Sequence, residues 1–146
     1  MRFRLSILFL AAAVCVGAGP QPGSRWKPLS HGDRFPGKWA ITITPSGSDA
    51  NLPGVKEFKE ELTFDNTNMS TKVLEKQGFK TAPYEADSSG AIGPATFKCK
   101  QESDKEGKIE WQGLTSTGDD LTGTLVWTKK DGPVVHYDFK GEKKAS

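Results

Sequence analysis

The chain has 146 residues, of which 35% are hydrophobic and 26% are charged, and its mean hydropathy is −0.53. This length supports one soluble domain, and together with the composition it excludes a multidomain protein, a membrane helix bundle and a large α/β enzyme. The formal net charge is +2, from 20 Lys and Arg residues and 18 Asp and Glu residues.

Residues 1–18 have the composition of an export signal. Arg2 and Arg4 give a positive start, an apolar run follows over 5–16, and small residues end the segment at Ala18. This order predicts a secretory signal peptide cleaved after Ala18. The alternative is a membrane anchor, which needs about 20 apolar residues, and the run is shorter. We therefore expect an exported protein, periplasmic or extracellular, with no stable membrane insertion once the signal is removed.

Cleavage also changes the charge balance, because it removes Arg2 and Arg4 and leaves equal numbers of basic and acidic residues. With no net positive field and few guanidinium groups, we expect no nucleic-acid partner. Cys15 leaves with the signal, so Cys99 has no disulfide partner. The exported domain must then be stabilised by burial alone.

Residues 19–36 are rich in Pro, Gly and Ser and predict an irregular arm, with Trp26 and Phe35 as candidates to pack against the domain. Beyond it, turn-forming sequences recur at regular intervals and separate segments in which apolar and polar residues alternate. A period of two places alternate side chains on opposite faces of a strand. The pattern predicts eight strands, at 38–44, 57–65, 68–76, 80–87, 94–102, 107–114, 120–129 and 133–141.

Strands that are each apolar on one side bury that side by closing into a barrel. Consecutive strands joined by tight turns lie next to one another, and closure removes the exposed edges of the sheet. The sequence therefore predicts an all-β protein, a single eight-stranded antiparallel up-and-down barrel over 37–141, with a flexible tail at 142–146. A two-sheet sandwich is the alternative.

Gly37-Lys38-Trp39 opens the first predicted strand directly after the arm, and a long loop rich in Pro and Gly, 45–55, separates the first two strands. In these features the sequence resembles the lipocalin-like (calycin-type) barrels over about 33–141. In that family an Arg after the last strand packs on the motif Trp, and here the tail offers Lys140, Lys143 and Lys144. The resemblance implies a small, largely apolar ligand inside the barrel, and no catalysis.

The inward aromatic residues are the candidate ligand-binding residues, with Gln101 or Tyr137 supplying a polar contact. Gly113 and Gly123 also face inward and are expected to leave room for a ligand. The alternative is that the same side chains fill the core, since eight strands enclose a space just wide enough for their own side chains or for one small ligand. The predicted lining residues are Trp39, Phe64, Phe97, Gln101, Trp111, Trp127, Tyr137 and Phe139.

The residue types that carry metal or nucleophilic chemistry do not cluster. His136 and Asp138 share the predicted solvent face, whereas a metal site needs three or four converging ligands. Cys99 points inward, away from a base that would activate it. We therefore expect no cofactor, no metal and no enzyme activity. The sequence favours a carrier of a small hydrophobic ligand, or alternatively an envelope protein-interaction module or protease inhibitor with a filled core, whose loops contact the partner.

Overall fold

Eight antiparallel strands form a closed barrel in the computed structural model, which describes residues 34–88 and 93–146. The predicted signal peptide and most of the predicted arm, including Trp26, lie outside these residues. Pairing of β1 with both β2 and β8 closes the ring, so the predicted barrel is confirmed and the sandwich is excluded. The strands are β1 (Gly37–Pro45), β2 (Phe58–Phe64), β3 (Asn68–Thr71), β4 (Ala82–Ser88), β5 (Ala95–Ser103), β6 (Gly107–Thr115), β7 (Asp120–Lys129) and β8 (Val134–Lys143).

The connections divide the barrel into two ends. At one end, which we call the mouth, lie the long loop 46–57, the segment 72–81 and the tight turns after β5 and β7. At the other end, the base, lie residues 34–36 and the turns after β2 and β6. The mouth carries two short 3-10 helices, Gly47–Asn51 and Leu74–Gln77. Across 34–88 and 93–146, no helix has the length and apolar character needed to cross a bilayer.

The inward and outward faces follow the predicted alternation. In β5 buried and exposed residues alternate over the whole strand, and in β1 Trp39, Ile41 and Ile43 are buried. Residues predicted to face solvent, such as Lys98 and His136, are exposed. Because successive side chains on a strand point to opposite faces, the apolar set converges on one shared interior.

The third strand is shorter than predicted. It ends at Thr71, and the chain then turns across the mouth through the helix at Leu74–Gln77 instead of continuing to residue 76. Gly78, with a φ of 92°, ends that turn in the left-handed region that favours glycine. Leu74 and Phe79 are both fully buried, so this segment closes the mouth as a plug. We call residues 72–79 the plug segment.

The end of the chain differs from the prediction as well. β8 continues two residues beyond the predicted end, to Lys143. The Lys144 backbone N–H donates to the Lys38 carbonyl (2.8 Å), and the Lys144 ammonium pairs with Glu61. The Lys143 ammonium lies 5.2 Å from the centre of the Trp39 ring and donates to the Arg34 carbonyl (3.1 Å). A lysine therefore packs on this tryptophan, where the resemblance implied an arginine.

Candidate functional site

Half of the predicted lining residues form, together with Phe35, a continuous stack of aromatic rings inside the barrel. Phe35 packs between Phe64 and Phe97, with ring centres 5.6 and 5.3 Å apart. Phe97 continues to Phe139 at 6.5 Å, and Phe139 to Trp111 at 5.5 Å. All five side chains are buried. Phe35, a candidate to pack against the domain, is fully buried in this stack, and these aromatic rings occupy the interior in which a ligand was predicted.

The inward glycines do not leave room, contrary to the expectation from the sequence. A Cβ built on Gly113 would lie 2.4 Å from Phe97 Cε1 and 2.9 Å from Phe139 Cζ. At Gly123 the nearest side-chain atom, again Phe139 Cζ, would lie at 2.5 Å. The rings of Phe97 and Phe139 fill the space beside the two glycines, where a larger residue would place its side chain. Glycine here permits the close packing of a filled interior.

Gln101, predicted as a polar contact for a ligand, is fully engaged by the protein. Its Nε2 donates to the Lys80 carbonyl (2.9 Å), and its Oε1 accepts from the indole N–H of Trp111 (3.0 Å). The side chain is 1% exposed. Trp39, at the base, likewise donates its indole N–H to the Phe35 carbonyl (2.8 Å). The hydrogen bonds of these two side chains are made to other groups of the protein.

Trp127 and Tyr137, the two remaining predicted residues, lie at the mouth. Together with Phe58 they line a cavity of about 270 Å³ between the long loop and the plug segment. The rings of Phe58 and Tyr137 meet edge to face, with centres 6.0 Å apart. Within the described residues the Tyr137 hydroxyl has no hydrogen-bond partner, and burial raises its pKa, with a further contribution from the Asp49 charge. We call this cavity the mouth crevice. Its lining residues are Gly54, Lys56, Glu57, Phe58, Val73, Gln77, Trp127, Lys129 and Tyr137.

A second cavity, of about 360 Å³, adjoins the mouth crevice and shares Gly54 and Lys129 with it. It lies between the long loop and the turns that follow β5 and β7. The ammonium of Lys129 stands 3.1 Å from the centre of the Trp127 ring, at the boundary of the two cavities. Burial lowers the pKa of Lys129, and the charge of Glu106 opposes this effect.

The plug segment is held in place by a buried carboxylate. Glu60, on β2, is 4% exposed. Its Oε1 accepts the backbone N–H groups of Lys72 and Val73, both at 2.8 Å, and its Oε2 accepts that of Leu74 at 2.9 Å. The N–H of Glu61 completes the set. The Glu60 carboxylate therefore accepts the backbone N–H groups that follow the end of β3. These bonds hold the plug segment, and with it Val73, in the wall of the mouth crevice.

The long loop is tied to β8 in a similar way. Asp49 Oδ2 accepts the backbone N–H of His136 (2.8 Å) and contacts its Nδ1 (2.9 Å). These interactions lower the pKa of Asp49, the backbone hydrogen bond most strongly. Ser46 donates its hydroxyl to Asp138 Oδ2 (2.6 Å). The predicted solvent exposure of His136 is confirmed, and its pairing with Asp49 is a contact that the sequence did not reveal.

The candidates for metal or nucleophilic chemistry remain isolated. Among residues 34–88 and 93–146, no three His, Cys, Asp or Glu side chains are grouped as metal ligands. Cys99 is buried as predicted, and burial raises its pKa to about 11. A thiol with that pKa stays protonated and is a poor nucleophile. The other histidine of the sequence, His31, which with Asp33 forms a second His-x-Asp sequence, lies outside the described residues.

A further cavity lies on the outside of the barrel. It is a groove of about 620 Å³ across β4, β5, β6 and β7, and most of its lining side chains belong to the outward face. Charged residues cross it, among them the Lys100 and Glu110 pair at 3.4 Å, which is exposed. Its charged lining differs from the mainly apolar lining that is typical of small-molecule sites. We call it the outer groove.

Lys129 is the mouth residue that the sequence analysis overlooked. The signal was present, because Lys129 follows Trp127 by two residues and therefore shares its face of β7. Val73 was overlooked for a different reason, since it enters the crevice only because β3 ends early.

No protein-family model matches the chain, and neither a curated protein nor a solved structure matches it.

Proposed function

We propose that the protein binds a small, largely apolar molecule at the mouth of the barrel, and that it is a binding protein without a catalytic step. The observation that carries the proposal is the mouth crevice, which Phe58, Trp127 and Tyr137 line together and where the Tyr137 hydroxyl has no partner among the described residues. Apolar walls with a few convergent polar groups are typical of ligand sites, whose volumes begin at about 300 Å³. The crevice alone, at about 270 Å³, is just below that volume, and together with the adjoining cavity of about 360 Å³ it lies within the range.

The lipocalin resemblance supports this proposal and also requires a change in it. The closed barrel and the position of Trp39 on β1 agree with a lipocalin-like architecture. In that family the ligand lies inside the barrel, whereas here the stack from Phe35 to Trp111 occupies the interior. We therefore place the ligand at the mouth. The signal peptide predicted for 1–18 supports binding outside the cytoplasm, in the periplasm or the extracellular medium.

A paired substitution tests the site with an uncharged fluorescent dye, phenylnaphthylamine. Val73 and Leu114 are similarly exposed, at 36% and 38%, but Val73 lines the mouth crevice and Leu114 lies near the base. We expect Val73→Trp to fill the crevice and weaken dye binding at least about tenfold, which corresponds to about 1.4 kcal/mol. Leu114→Trp is the control and should bind the dye as the wild type does. Equal binding by all three proteins, or no binding by the wild type, would contradict the proposal.

A protein-interaction module or protease inhibitor is the second candidate function. Two observations favour it, namely the filled interior and the size of the outer groove. Loops and surfaces on a rigid scaffold commonly carry such contacts. The dye experiment separates the two candidates, because the interaction module requires no small ligand. A wild type that binds no dye, and whose purified mature form carries no small molecule in native mass spectrometry, would favour it.

A further inference from the structure

The position of Lys129 gives the mouth crevice a chemical preference. Its ammonium lies over the Trp127 ring and borders both cavities of the mouth. A cation on an aromatic face is held there by the negative face of the ring. The ammonium is thus oriented at the crevice, although Lys is a flexible side chain whose charge would otherwise extend into water.

Among the described residues Lys129 forms no ion pair, and the acidic charge that acts on it is that of Glu106 in the adjoining cavity. In the described chain the lysines that form ion pairs are Lys100, Lys108 and Lys144, and their carboxylates are Glu110 and Glu61. None of these pairs includes Lys129. Its pKa is lowered because its charged form is partly desolvated. A group in this state is stabilised when an anion approaches it.

The other polar groups of the crevice favour an anion as well. Lys56 lines the same cavity and adds a second positive charge. The acidic residue there, Glu57, already accepts a hydrogen bond from the Thr44 hydroxyl (3.0 Å). The Tyr137 hydroxyl, without a partner in the described residues, is available as a donor. The crevice therefore presents two ammonium groups, one carboxylate and a phenol O–H beside the rings of Phe58 and Tyr137, so that its lining carries an excess of one positive charge.

We propose that the ligand carries an anionic group, such as a carboxylate or sulfonate, which pairs with Lys129 while its apolar body packs against Phe58 and Tyr137. This inference rests on the proposed function, because it specifies the class of molecule that the same crevice binds. Charge-assisted pairing in a partly desolvated site is stronger than pairing in open water. An anionic ligand should therefore bind more tightly than a neutral ligand of the same shape.

Two dyes with the same aromatic body test this point. Anilinonaphthalene sulfonate carries an anionic group, and phenylnaphthylamine lacks it. We expect the wild type to bind the anionic dye about tenfold more tightly at low salt, with the advantage shrinking as the ionic strength rises. Lys129→Met should remove this preference by weakening anionic binding about tenfold while leaving the neutral dye unchanged. Lys129→Arg should retain the preference.

A matched control and a folding check complete the experiment. Lys140→Met removes an exposed lysine from the outward face of β8 and should leave both affinities unchanged. The urea midpoint of each variant shows whether the barrel is intact. If the wild type binds both dyes equally, or if Lys129→Met weakens both alike, the anionic preference is wrong and the mouth site stands. If neither dye binds, the mouth site and the preference are both wrong.

Discussion

Glu60 is the polar residue on which the mouth most depends. Gln at this position replaces a carboxylate oxygen with an NH₂ group, so at least one backbone N–H of the plug segment faces another donor. Hydrogen bonds to charged groups contribute about 1.5–3 kcal/mol each, and we expect Glu60→Gln to lower the free energy of unfolding by about 2 kcal/mol. Urea unfolding followed by tryptophan fluorescence measures this change.

Glu110→Gln is the control for that experiment. Glu110 belongs to an exposed ion pair, and exposed pairs contribute about 0–1 kcal/mol. We expect a loss below about 0.5 kcal/mol. If the two variants lose the same stability, the carboxylate of Glu60 is not the anchor of the plug segment.

Thr71 presents the opposite case, a buried hydroxyl without a partner. Its Oγ1 is the buried side-chain polar atom that lacks a hydrogen bond in the described chain. An unsatisfied buried polar group costs about 1–3 kcal/mol, and valine has nearly the same shape. We expect Thr71→Val to raise the free energy of unfolding by about 1 kcal/mol. A loss of similar size in urea unfolding would show that the hydroxyl has a partner, such as a bound water.

At the scale of elements, two turns at the base are closed by aspartates. Asp65 Oδ1 accepts the backbone N–H groups of Thr67 (2.7 Å) and Asn68 (2.6 Å) after β2. Asp120 Oδ1 accepts the backbone N–H of Thr117 (3.0 Å) and its hydroxyl (2.7 Å) before β7. In each case the backbone hydrogen bond from the turn is the main cause that lowers the pKa of the carboxyl group.

These lowered pKa values predict acid sensitivity. A carboxyl group with a lower pKa in the folded state stabilises the fold above its unfolded pKa, and that stability is lost as the pH falls through the folded value. We expect the urea midpoint to be steady near neutral pH and to fall below about pH 3.8, the ordinary value for Asp. Asp120→Asn should lower the midpoint at neutral pH and reduce its decline in acid. An unchanged acid profile in Asp120→Asn would contradict this assignment.

The strands were predictable where the alternation alone determines their pairing. In β5 and β6 every inward position is an apolar, small or hydrogen-bonded residue, and both strands lie within a residue of their predicted bounds. β3 was not predictable, because its alternation continues past Thr71 in the sequence. It ends there because Glu60, on the neighbouring strand β2, accepts the next three backbone N–H groups. A contact of this range has no local signal.

At the scale of the whole molecule, the sequence left the content of the interior undecided. Eight strands can hold either side chains or a ligand, and the choice depends on how the rings interlock. Phe97 and Phe139 fill the space beside Gly113. The sequence indicates which residues point inward, but it does not indicate how their side chains pack. The structure therefore divides the predicted site, since Trp39, Phe97 and Trp111 belong to the core and Trp127 and Tyr137 to the mouth.

The three described tryptophans report directly on this division. Trp39 and Trp111 donate their indole N–H groups within the filled interior, and Trp127 donates its own to the Glu106 carbonyl (3.0 Å) at the mouth. Proton–nitrogen correlation spectra, recorded while anilinonaphthalene sulfonate is added, follow each indole N–H separately. We predict that the Trp127 signal shifts with saturation while the Trp39 and Trp111 signals stay in place. A shift of Trp111 with Trp127 unmoved would place the ligand away from the mouth and contradict the mouth site.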